Sequence, residues 1–149
     1  MAPPRLPFTK GLKTLLITVT GKPFFIARLP RDQAAIPKPP YGIIYPLNAG
    51  RLTGPDSDTD ADATFIYQVS SVGLDATGAE WLSDKVRGGV LDRDPETGDY
   101  VHAWPLPENL PWKVMSGAAR RSQAGAGAAV PSEGMVTIAE QFAVSVTPA

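Results

Sequence analysis

The 149-residue sequence predicts an α+β fold, a mixed and largely antiparallel sheet with two helices packed on one face. Three observations predict it. An apolar stripe at helical spacing lies near the N-terminus, a second lies mid-chain, and the closing segment repeats its apolar residues at every second position, interrupted at Glu140.

Residues 1–7 are proline-rich and read as an extended N-terminal arm. From Thr9 the pattern turns helical. Leu12, Leu15, Leu16 and Val19 fall on one stripe, Thr9 can cap the start, and Gly21 followed by Pro23 can stop it. The β-branched run Ile17 to Thr20 argues for a strand instead, and helix is the favoured reading. Phe24 to Leu29 suggests a short strand, and Pro30 to Pro40 a connector. Tyr41 to Leu47 alternates as a strand, with Pro46 marking a sheet edge or a strand end.

Asn48 to Asp62 reads as a polar loop. It leads into the strand Ala63 to Val72, with Phe65, Tyr67 and Val69 on one face and Ile66 and Val72 on the other. Asp75 to Leu91 is the best helical pattern. Ala79, Leu82, Val86 and Val90 form its stripe, and its N-terminus is capped either by a Thr77/Glu80 box or by Asp75. Residues 92–98 are rich in turn formers, Pro105, Pro107 and Pro111 interrupt regular structure, and Trp112 to Ser116 suggests another strand. Gly117 to Gly134 is rich in Ala, Gly and Ser and reads as a flexible loop. In the closing strand Val136, Ile138, Phe142, Val144 and Val146 share one parity, broken only by Glu140. The whole is expected to be one domain, 1–149.

Composition narrows the function. A net charge of −1 with scattered Lys and Arg disfavours broad phosphate binding. The absence of cysteine removes disulfides, thiol catalysis and thiolate metal sites. Apolar runs such as Leu15 to Val19 are too short to span a bilayer, so a soluble, cytoplasmically made protein without a membrane partner is expected.

No motif carries catalytic chemistry. Asp56, Asp58, Asp60 and Asp62 have the spacing that opens a calcium loop. The glycine and distal carboxylate that such a loop needs are replaced by Ala61 and Tyr67. The four aspartates therefore read as a solvated acidic loop, free to present charge to a partner. Gly125 to Val130 lacks the third glycine and the strand–helix setting of a dinucleotide fingerprint. His102, the only histidine, has no sequence-adjacent partner for a triad or a metal. Neither cofactor nor catalytic residue is expected.

Interface candidates remain. Trp81 lies about 100° from the centre of its helix's apolar stripe and would suit a partner surface. Lys85 and Arg87 lie in the same helix, and Arg120 and Arg121 in the flexible loop. These cations serve solubility, or else a subunit or DNA-facing surface.

Several segments share the pattern of one family. Ala-Asp-Ala-Thr-Phe-Ile-Tyr-Gln-Val-Ser-Ser-Val-Gly (61–73) runs into the helix Ala-Glu-Trp-Leu-Ser-Asp-Lys-Val-Arg (79–87). Pro-Tyr-Gly-Ile-Ile-Tyr-Pro-Leu (40–47) precedes them, and Gln-Phe-Ala-Val-Ser-Val-Thr-Pro (141–148) closes the chain. Together these resemble the tail-terminator proteins of long-tailed, non-contractile phages of actinobacteria. The resemblance implies a hexameric ring at the head-proximal end of the tail. Such a ring stops polymerisation of the tail tube and offers a docking surface to the head. Its neighbours would be the major tail tube protein and a head-completion or connector protein, with DNA passing through the lumen without specific binding. The resemblance implies no enzymatic activity. Two alternatives stand beside it, another head–tail connector or tube subunit, and a small-molecule-binding or enzymatic α+β domain.

Overall fold

A computed structural model of the protein describes residues 3–53, 62–123, 130–132 and 134–149. The first helix, α1 (Leu6–Thr20), buries Phe8, Leu12, Leu15 and Leu16. It starts earlier than the sequence suggests, so the N-terminal arm is shorter than residues 1–7. Pro7 belongs to the first turn, where its missing N–H costs nothing. Thr9 is therefore interior, and its hydroxyl is buried against that of Tyr67, 3.0 Å away. Gly21 ends the helix at φ 68°, the left-handed conformation that glycine adopts without strain. The β-branched run Ile17 to Thr20 stays helical because packing of the apolar stripe outweighs its modest propensity penalty.

Among the described residues, seven strands form one mixed sheet. The short β1 (Phe24–Ile26) runs parallel to β2 (Tyr41–Thr53), and β2 runs antiparallel to β3 (Asp62–Gly73). β3 pairs antiparallel with β7 (Met135–Pro148), placing Phe65 opposite Val144 and Val69 opposite Glu140. The other side of β7 is shared by β4 (Trp112–Val114), β5 (Arg120–Gln123) and β6 (Val130–Ser132).

Two expected loops therefore contain strand. Asn48 to Thr53 continues β2 past Pro46, across a register shift between Leu47 and Arg51. The segment 117–134, expected as one flexible loop, contributes β5 and β6. Ladder hydrogen bonds to β7 supply an order that its small residues do not advertise.

The second helix, α2 (Ala76–Leu91), is capped by Asp75, whose Oδ1 accepts from the Gly78 amide at 2.8 Å. The expected stripe Ala79, Leu82, Val86 and Val90 is buried. Burying its three larger members contributes on the order of 5–8 kcal/mol before entropy is subtracted. Both helices pack on the face that carries Phe65, Tyr67, Val69, Phe142, Val144 and Val146, together with Trp104. On the opposite face Tyr41, Ile43 and Val72 are covered by Leu29 and Ile36, so the proline-rich connector shields that part of the sheet.

Two close fits fix the third component of the core. Trp104 Nε1 donates to the Phe8 carbonyl at 3.0 Å. Gly11 faces the same segment, and a Cβ there would lie 2.3 Å from the Pro105 carbonyl oxygen and 2.8 Å from the Trp104 ring. Only glycine lets residues 104–105 lie directly on α1.

Candidate functional site

Among the sequence-predicted candidates, Asp56, Asp58 and Asp60 lie outside the described residues. Asp62 opens β3, and its Oδ1 accepts from the Thr147 hydroxyl at 2.6 Å. Two residues along, the Thr64 and Ser145 hydroxyls are 3.1 Å apart, and the exposed Arg121 reaches Ser145 Oγ at 3.4 Å. Asp62 and Arg121, far apart in sequence, thus share one polar strip across β3, β7 and β5.

Arg120 is different. Expected in a flexible loop with its neighbour, it lies in β5 and is 7 % exposed. Successive strand residues point to opposite faces, so Arg121 goes out to solvent while Arg120 goes in. Its guanidinium stacks 4.3 Å from the centre of Tyr100 and 5.4 Å from that of Trp104, and Nη1 donates to the His102 carbonyl at 2.7 Å. Tyr100 completes the clasp. Its hydroxyl accepts from the Arg120 amide at 2.8 Å and lies 3.0 Å from Arg93 Nη2. No carboxylate pairs with Arg120 among the described residues, and burial pushes its pKa below the ordinary arginine value. The aromatic faces and carbonyl solvate the cation instead.

On α2, Trp81 is 42 % exposed, as its position off the stripe suggests, and the Lys22 ammonium lies 5.9 Å from its ring centre. Lys85 is exposed nearby. Arg87, one helical turn from the buried Ser83, turns back to the sheet and pairs with Glu140. Glu140 is 7 % exposed. It accepts from Ser83 Oγ at 3.0 Å and from Arg87 Nε at 3.2 Å, with a further bond from Arg87 Nη2. The hydrogen bond to Glu140 also holds the Arg87 pKa above its ordinary value. Glu140, which only interrupts a pattern in the sequence, is thus the carboxylate on which α2 is seated.

Sequence reasoning missed two further features. Arg5 is half-buried between α1 and the sheet, where its guanidinium donates to the Leu47 and Ile66 carbonyls and lies 4.8 Å from the centre of the Tyr67 ring. Leu47 is where the β2–β3 register shifts, and Arg5 satisfies a carbonyl at that irregularity. The second feature is a groove of about 350 Å³ between α1 and residues 105–107. Leu6, Pro7, Leu106 and Pro107 form its apolar walls, with Lys10 and Thr14 as its polar side chains. It forms because the Gly11 contact draws the proline segment against the helix, a long-range approach with no local sequence signal.

Among the described residues, no group of three or more His, Asp or Glu side chains could hold a metal. No described helix is long and apolar enough to cross a membrane. The chain matches no known family model, and no curated protein matches it. The surface thus carries an exposed tryptophan on α2 beside Lys22, a polar strip on the sheet, and an apolar groove against α1.

Proposed function

We propose that the chain is a structural virion subunit, a tail terminator that assembles into a hexameric ring. In this reading the ring caps the head-proximal end of the tail tube, stops its growth and presents a joining surface to a head-completion or connector protein. The fold would then be tail-terminator-like, and the protein would be made in the host cytoplasm and end in the virion tail. The protein would work by shape, without a cofactor and without catalysis.

One observation carries the self-assembly part of this reading. Among the described residues β1 pairs with β2 only at Gly42 to Ile44, so β2 from Tyr45 onward has no strand on its outer side. A long unpaired border offers backbone donors and acceptors to a neighbouring chain. Pairing with another subunit is one way such a border is covered, and a head-to-tail contact that closes by rotation gives a ring. The specific assignment to a tail rests on the resemblance of segments 40–47, 61–73, 79–87 and 141–148.

Light scattering on a size-exclusion column, followed by electron microscopy with purified tail tube protein, tests the proposal. A six-subunit ring that caps tubes and limits their length is expected. A strict monomer that leaves tube growth unchanged and melts higher with a small ligand would replace this reading with a small-molecule-binding domain.

A further inference from the structure

We infer that the groove between α1 and residues 105–107 of one copy receives the β3–α2 corner of the next copy, with Leu74 as the inserted side chain. This rests on the reading of the chain as a self-assembling subunit, and it adds to the β2 border a side-chain contact on which assembly depends.

Leu74 is 66 % exposed, the highest value among the large hydrophobic side chains of the described residues. It immediately precedes the cap residue Asp75, a position where an apolar side chain ordinarily folds back on the fourth helical residue. Here that fourth residue is Ala79, itself buried and short, and the Leu74 side chain stays largely exposed. The groove is its complement. Leu6, 59 % exposed, forms one wall and the Leu106–Pro107 segment the other.

The charges agree with the shapes. Helix α1 carries Lys10 and Lys13 and no acidic residue, and Lys10 stands at the groove. The corner and first turns of α2 expose Asp75, Glu80 and Asp84. Asp84 pairs with Arg87 at 3.5 Å, and among the described residues Asp75 and Glu80 make no salt bridge. A corner bearing Leu74 beside Asp75, with Glu80 farther along the helix, therefore fits an apolar groove with a lysine at its rim. Groove and corner are different patches, so the contact is head-to-tail and propagates, closing as a ring if the rotation permits.

Two single variants, Leu6→Glu in the groove and Leu74→Glu at the corner, test this by light scattering beside the wild type. Both sites are exposed, so both variants should melt as the wild type does. Each variant alone should be monomeric. An equimolar mixture should form a one-to-one dimer and stop there, because only one intact groove and one intact corner remain between the two chains. Assembly of either variant at wild-type size overturns the inference, while the ring reading stands. Loss of assembly with Leu6→Glu but not with Leu74→Glu would show that the groove takes another segment, and this assignment would be wrong. A wild type that is monomeric under all conditions, tube protein included, removes both readings together.

Discussion

The carboxylate of Glu140, at the middle of β7, is held by the Arg87 guanidinium and by the Ser83 hydroxyl at 3.0 Å, both from α2. A charged side chain thereby sits on the core face of the longest strand, opposite Val69. Such a carboxylate is tolerated only while its partners remain. Arg87→Ala should cost about 1–2 kcal/mol, less than for a fully buried pair because the Arg87 side chain is 51 % exposed. The double variant Arg87→Ala/Glu140→Leu should recover most of that loss, since the uncompensated charge is gone. Urea denaturation of the two variants checks both values.

Arg120 and Arg121 should separate sharply although they are adjacent. Arg120→Ala removes a buried cation stacked on Tyr100 and Trp104 and its bond to the His102 carbonyl. A loss of about 2–3 kcal/mol is expected. Arg121→Ala, at an exposed position with one long bond to Ser145, should stay within about 0.5 kcal/mol of the wild type. Equal effects in chemical denaturation would contradict the alternation of β5.

Alkaline pH should destabilise the fold through Tyr67. Burial raises its pKa above the ordinary 10.0, and the hydrogen bonds from Thr9 and Arg5 and the Arg5 charge offset this only in part. The folded state thus holds the phenolic proton more tightly than the unfolded state does. Its contribution is complete below pH 10 and is lost as pH rises beyond that. Tyr67→Phe removes this source of pH dependence. Thermal melts between pH 8 and pH 11 should show a shallower alkaline decline in the variant, after allowance for its missing bond to Thr9.

Gly11→Ala should destabilise the protein by about 1–3 kcal/mol, although alanine is the better helix former by roughly 1 kcal/mol. The new methyl group would collide with the Pro105 carbonyl, which is backbone and cannot step aside cheaply. Residues 104–107 would move off α1 and the groove would open. A shift in tryptophan fluorescence, from Trp104 leaving its site against Phe8, should accompany the loss.

The sequence by itself determined the elements whose signal is local. The stripes Leu12–Leu15–Leu16–Val19 and Ala79–Leu82–Val86–Val90, the stop at Gly21 and the alternation of β3 and β7 follow from periods of 3.6 and 2 and from glycine's conformational freedom. Tertiary structure alone decided the rest. Arg120 and Arg121 read alike in an Ala/Gly/Ser-rich stretch, because only pairing with β7 makes that stretch a strand and gives the two side chains opposite faces. Glu140 reads as a flaw in a strand until α2, more than fifty residues earlier in the chain, brings Ser83 and Arg87 to it. The groove depends likewise on residues 105–107 meeting α1. Periodicity reports what a residue's neighbours in the chain require; burial, ion pairing and clefts arise between segments, and their energies appear only once those segments touch.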